Sequence, residues 1–117
     1  MSKHLESEAK PSPGELSVDT ASNDGTIVVA VRGELDIASA PRFKLTLETA
    51  ESGDVRLVIV DLAELQFIDS TGLRVLLDAK RRASAAGGDL RIVNARGEVR
   101  RLLEIAGVLE LLSAEHD

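Results

Sequence analysis

VRLVIVDLAELQFIDSTGLRVLLDAKRRASAA, residues 55–86, changes its hydrophobic period halfway along, and that change decides the fold. Val55 to Leu62 is a nearly continuous aliphatic run, the pattern of a strand inside a sheet. From Leu73 onward the apolar residues fall three and four apart. Leu73, Leu76, Ala79 and Ala83 share one side with Lys80, flanked by Val75 and Leu77, while Arg74, Asp78, Arg81 and Arg82 lie elsewhere. This second half is an amphipathic helix to about Ala86, ended by AGGD. Asp78 stands at helical spacing from Arg74 and Arg82, which predicts ion pairs along the helix. Between the two halves, AELQFID (63–69) follows neither period. It reads as a loop or a short extended piece that delivers Ser70 to the helix.

The same alternation extends in both directions. ELSVDT (15–20) alternates Leu16 and Val18 with polar neighbours, as an edge strand does, and SNDG (22–25) is a turn signal. TIVVAVRG (26–33) reads as a strand covered on both faces, pairing with the first as a hairpin. GELDIASAP (33–41) is a connecting loop in which Ser39 is placed to cap a helix and Pro41 to occupy its first turn. Ala40, Phe43, Leu47 and Ala50 continue that helix on one stripe, Leu45 falls off the stripe, and Gly53 marks the stop. Downstream, LRIVN (90–94) is a short strand. GEVRRLLEIAG (97–107) is a helix with Val99, Leu102, Leu103 and Ala106 together, and VLELL (108–112) is a last short strand or turn. The order β-β-α-β-α-β-α predicts an α/β fold. Its sheet is mixed and mostly parallel, of four to five strands with an N-terminal β-hairpin, flanked by helices. Residues 1–14 are polar with two prolines and read as a flexible tail; 15–112 form the domain and 113–117 a short C-terminal tail.

Composition narrows the chemistry. With 117 residues the chain fits one domain, and its core is aliphatic because only 2% of residues are aromatic. A formal net charge of −6 disfavours nucleic acid as a partner, since phosphate neutralisation needs concentrated Lys and Arg. There is no cysteine for a disulfide, thiolate or zinc ribbon. The longest apolar runs are far too short for a membrane span, and the N-terminus lacks a signal-peptide core, so the expected location is the cytoplasm. The only histidines, His4 and His116, sit at the ends, so no base stands ready to activate Ser70, and no metal-binding spacing or phosphate loop is present. Asp61, Glu64 and Asp69 read as solvated carboxylates around a loop. No cofactor is implied and no enzyme.

FIDSTGL (67–73) remains to be explained. Asp69, Ser70 and Thr71 are helix-capping residue types, and Asp69 complements the positive end of the helix dipole. Two details exceed capping. Gly72 in the first turn leaves backbone uncovered for a partner or an anion, and the hydroxyls of Ser70 and Thr71 precede free N–H groups that suit a phosphate. A phosphate there adds about −1.5 to −2 charge at one surface point.

VRGELDIASAP (31–41), VIVDLAELQFIDSTGL (58–73) and GGDLRIVNARGEVRRLLEIAGV (87–108) together resemble the STAS domains, and among them the anti-sigma factor antagonists (anti-anti-sigma factors). GELD followed some thirty residues later by FIDSTGL is a specific combination; either alone is weak. The resemblance implies a regulatory protein that switches partners. Its unphosphorylated form binds an anti-sigma factor that is also a serine kinase of the histidine-kinase-like ATPase fold, and so frees the sigma factor. Phosphorylation of the serine after the aspartate blocks binding, and a PP2C-type phosphatase reverses it. Carried over by motif, the phosphoacceptor is Ser70, with Thr71 beside it as the competing hydroxyl. Asp36, Asp69, Thr71, Gly72 and Leu73 are the expected partner-binding residues. The runner-up within the family is a stand-alone adaptor subunit of a multi-protein assembly, such as a lipid-transport complex.

Overall fold

The computed structural model describes residues 15–114; the tail expected at 1–14 and the end of the one expected at 113–117 lie outside the described residues. The strands are β1 (Leu16–Asn23), β2 (Thr26–Leu35), β3 (Leu57–Ile68) and β4 (Asp89–Val93). The helices are α1 (Ala40–Ala50), α2 (Ser70–Ala85), α3 (Gly97–Ile105) and α4 (Leu109–Ser113). The sheet order is β1-β2-β3-β4, with β1 antiparallel to β2 and the other pairs parallel. The mixed sheet opened by a hairpin is therefore present, with four strands. The hairpin turn places Asp24 and Gly25 at positive φ, 50° and 84°, as two-residue connections between twisted strands require.

One core serves the whole domain. Phe43 and Leu47 of α1, Leu76 and Ala79 of α2, Val99 and Leu103 of α3 and Leu112 of α4 join a single buried cluster with Val29, Val31, Leu35, Val58, Val60, Leu62, Leu90 and Ile92. Those strand residues alternate along β2, β3 and β4, so they share one face, and each fully buried aliphatic side chain stabilises the fold by about 1.5–3 kcal/mol. Val28, Ala30, Leu57, Ile59 and Val93 occupy the other face, stand half-buried and lie outside the cluster. The expectation that TIVVAVRG is covered on both faces is thus corrected: among the described residues the helices pack on one face. In mid-sheet the neighbouring strands already shield a β-branched side chain, so an unbroken apolar run does not require a second layer.

Further expectations are corrected. The segment 63–69 is the extended piece and not the loop of the two alternatives, and it is no separate element: β3 continues to Ile68. Relative to β2 it carries extra residues at two places, because Ala30 pairs with Asp61 but Arg32 with Glu64, and Gly33 with Leu65 but Glu34 with Phe67. These bulges turn Leu62, Leu65 and Ile68, three apart, all into the core. The extra backbone of the first bulge is satisfied: Ala63 N donates to Asp61 Oδ1 (3.0 Å), and Ala63 O accepts from Arg96 Nε (3.1 Å). Asp61 also accepts from Asn94 Nδ2 (3.0 Å), so it is a structural acceptor rather than a solvated carboxylate. VLELL is not a fifth strand, since Leu109–Ser113 form α4, which puts Leu112 into the core and carries the helix one residue past the 112 boundary.

Asp78, finally, pairs with Arg81, not Arg74 or Arg82. Arg82 instead forms a two-bond contact with Glu51 at the end of α1 (3.0 and 3.1 Å), and that carboxylate raises the guanidinium above its ordinary pKa. Lys80, on the apolar side of α2, is buried. Its ammonium donates to Asp89 Oδ1 (2.9 Å), Leu90 O (2.8 Å) and Ala114 O (3.3 Å), tying the end of α4 to β4. Leu45 is 62% exposed, off the helix stripe as the spacing indicates.

Candidate functional site

β2 and β3 run parallel, so both leave the sheet at the same edge, with Leu35 paired to Ile68. The C-terminal edge of parallel strands is where open α/β sheets gather functional groups. Here β3 passes directly into α2 through Asp69, while β2 turns through residues 36–39 before α1.

Asp69 joins these two exits. It is the N-cap of α2, with extended backbone (φ −111°, ψ −176°). Its Oδ1 accepts from Thr71 N (2.9 Å) and Gly72 N (3.0 Å), and its Oδ2 accepts from Ile37 N (3.1 Å). Its own N–H donates to Leu35 O (3.1 Å). One carboxylate therefore caps a helix and anchors the neighbouring loop. Three N–H donors on its two oxygens fix its orientation.

Asp36 organises the loop from within. Its Oδ1 accepts from Ala38 N and Ser39 N (both 3.0 Å), an Asx-turn, and its carbonyl accepts from Ala40 N (2.8 Å). The expected Ser39 cap is corrected, because that side chain makes no cap bond. Its Oγ donates to Glu34 O (2.9 Å) and accepts from Asp36 N (3.0 Å), so it faces back into the loop, and Pro41 in the first turn has no N–H for a cap to take.

Gly72 has a different role from the one expected. It is buried, and a Cβ built on it would lie 2.5 Å from Leu35 Cγ and 2.9 Å from Leu35 O. The missing side chain lets α2 sit against the end of β2; it does not uncover backbone for a partner. The expectation of free N–H groups for a phosphate is also corrected, because Asp69 occupies those of Thr71 and Gly72.

The structure brings Asp36, Asp69, Ser70, Thr71, Gly72 and Leu73 together, with unequal access. Ser70 is exposed, and its hydroxyl has no hydrogen-bond partner among the described residues. Thr71 is half-buried, and Leu73 is half-buried against the core. The most exposed apolar side chain here is one the spacing did not reveal: Ile37, 73% exposed, on the loop held by Asp69. The reason is positional, since an apolar residue inside GELDIASAP carries no periodic signal. A shallow hollow runs from Ser70 and Thr71 down the outer side of α2 past Arg74 and Asp78 to Arg81. No helix among the described residues is long and apolar enough to cross a membrane.

This edge, with its capped helix, pinned loop and exposed serine, lies within the stretch of chain that a family model matches. Residues 17–116 match the STAS domain model, and the chain belongs to the STAS domain family. It is 31% identical over 99 residues to the anti-sigma-B factor antagonist of Bacillus subtilis, an overlap of 83% of this chain and 88% of that protein. It is 26% identical over 98 residues to the anti-sigma F factor antagonist of Paenibacillus polymyxa, with 83% and 84% covered. A crystal structure of an anti-sigma factor antagonist from Mycobacterium paratuberculosis superposes with a TM-score of 0.77 at 25% identity, covering 86% of each chain.

Proposed function

We propose that this chain is an anti-sigma factor antagonist gated by phosphorylation of Ser70. The observation that carries the reading is the contrast within the motif. The Asp69 carboxylate and the Thr71 and Gly72 N–H groups at the start of α2 have their partners, while the Ser70 hydroxyl is exposed and unengaged among the described residues. Exposure also favours Ser70 over the half-buried Thr71. The relatives are named as antagonists of anti-sigma factors, which supports an anti-sigma factor as the partner.

In this reading the unphosphorylated protein acts in the cytoplasm and is itself no enzyme. It docks an anti-sigma factor through the edge carrying Ser70 and Ile37, and the sigma factor is released. The anti-sigma factor is also a serine kinase. The Ser70 Oγ–P bond forms as the bond from the γ-phosphorus of ATP to its bridging oxygen breaks; ADP leaves, and the hydroxyl proton passes to a base on the kinase. A PP2C-type phosphatase returns the serine by hydrolysis. The phosphate adds about −2 charge beside Asp69, whose carboxylate is held in place by three N–H groups. No refolding is needed, because an approaching surface meets the charge and bulk directly.

Incubation with the cognate kinase and ATP, followed by mass mapping, tests the assignment: phosphate is expected on Ser70, and its appearance only on Thr71, Ser84 or Ser113 overturns it. Ser70→Ala should bind the kinase and resist modification, while Ser70→Glu should bind at least tenfold more weakly. Equal binding by the two variants refutes the charge mechanism.

A further inference from the structure

Arg74 lies one turn along α2 from Ser70, in the same hollow. Its surroundings single it out. Arg81, further along the hollow, is paired with Asp78, and Arg82 with Glu51. Arg74 is exposed and has no hydrogen bond or ion pair among the described residues. The carboxylates around it are engaged elsewhere: Asp69 with Thr71, Gly72 and Ile37, Asp36 with its own loop, Asp78 with Arg81. In a chain of net charge −6, this is a cation with no carboxylate assigned to it.

Helix geometry says what the cation can reach. Residues four apart are surface neighbours, about 6 Å between Cα atoms, and helical side chains lean toward the N-terminus over the preceding turn. The guanidinium of Arg74 can therefore reach back to Ser70. The order is the favourable one, with the anion N-terminal and the cation four residues on. A phosphate on Ser70 would not find the Thr71 and Gly72 N–H groups, which Asp69 already occupies. Beyond its own backbone N–H it lacks a donor on this turn, and a guanidinium offers a planar fork that takes two phosphate oxygens at once.

We propose that Arg74 is the internal counter-ion of phosphorylated Ser70. This rests on Ser70 being the phosphoacceptor and adds how the phosphorylated state is held. The phosphate folds back along α2 onto Arg74, partly offsetting its repulsion from Asp69. Phosphorylation then changes the docking edge twice: an anion appears at Ser70, and the free cation at Arg74 is withdrawn from any partner. Arg74 is a positioning residue here, acting on the phosphate and not on phosphoryl transfer.

The test uses the full chain with phosphoserine installed at position 70 during translation, so it needs no kinase. The second ionisation of the phosphate is followed by 31P NMR across pH 4.5 to 8, a range chosen around its ordinary pKa of about 6. A guanidinium clamp favours the dianion, so R74A should titrate about 0.3 to 0.7 of a pH unit higher than the parent, the size expected for an exposed pair. The difference should shrink in 1 M salt. R81A, whose arginine is already paired, should titrate with the parent. A titration of R74A indistinguishable from the parent overturns the proposal, and so does an equal shift in R81A, which would indicate a diffuse field. Both results would leave the kinase reading standing. Conversely, a kinase that ignores Ser70 in the mapping experiment leaves this titration fully interpretable.

Discussion

Replacing Gly72 by Ala separates two physical readings by sign. An alanine in the first turn of a helix is favoured over glycine by up to about 1 kcal/mol, so from helix propensity alone the substitution stabilises. The packing says the opposite. The new methyl would stand 2.5 Å from Leu35 Cγ, 3.0 Å from Leu35 Cδ2 and 2.9 Å from Leu35 O. Carbon atoms prefer about 3.5–4.0 Å, so roughly 1 Å of movement is needed. Leu35 is fully buried and cannot swing aside, and one of the three atoms is backbone. Relief must come from moving α2 off β2, which stretches the Asp69 N–H to Leu35 O bond. Overpacking costs about 1–3 kcal/mol and a lost hydrogen bond about 1, against the propensity gain, leaving a net loss of about 1–3 kcal/mol. For a domain of this size that lowers Tm by about 4–8 °C per kcal/mol. Thermal and urea unfolding of parent and Gly72→Ala measure it. A cycle with Leu35→Ala should show Gly72→Ala costing less in that background, though not nothing, because the Leu35 carbonyl stays. A Gly72→Ala protein as stable as its parent or more so refutes the close-approach argument.

Other expectations follow from contacts already described. Asp69→Ala should cost about 1–2 kcal/mol, the usual range for a lost N-cap, and hydrogen exchange at the Ile37 amide should accelerate together with Thr71 and Gly72; unchanged exchange at Ile37 would show that the Oδ2 bond does not hold the loop. Lys80→Met should lose about 2–4 kcal/mol in urea unfolding, because it removes the cation from a largely buried pair with Asp89 and unties Ala114; a loss below about 1 kcal/mol would mean that the ammonium contributes little. Val60→Ala, in the core, should destabilise by about 2 kcal/mol, while Ile59→Thr on the opposite face should stay within about 1; equal costs would show that something covers that face in solution.

What could be read from the chain depended on whether one residue's pattern had one cause. The Leu76, Ala79, Ala83 spacing of α2 and the Phe43, Leu47 spacing of α1 were legible because helix period and burial agree there. β3 was legible only to Leu62, because beyond it two bulges stretch the inward period from two residues to three, and Leu62, Leu65, Ile68 then match no single template. The motif around Ser70 points to residues that the structure gathers at one edge, but in part to the wrong physics for them. Gly72 looks like an opening in the sequence because its contact is with Leu35, thirty-seven residues earlier, which no local rule contains. Asp69 was read as a cap, and it is one, but its second oxygen serves a loop that sequence neighbours do not reveal. Arg74 looked like half of an i,i+4 pair with Asp78; the structure gives Asp78 to Arg81.

The two bulges of β3 have a consequence for how this domain tolerates change in length. From Thr26 to Leu35 the chain of β2 needs fewer residues than β3 does from Leu57 to Ile68 to cover the same distance. The surplus sits between the sheet's anchored beginning and the serine. Removing one surplus residue would leave the early strand paired as before and send everything after it to the opposite face, until Asp69 no longer met either helix or loop. Each surplus residue is thus a half-turn of phase; the two together restore the phase, and losing either one alone breaks it. Single-residue deletions should be far more damaging at Ala63 or Gln66 than within the turn at Ser52 and Gly53.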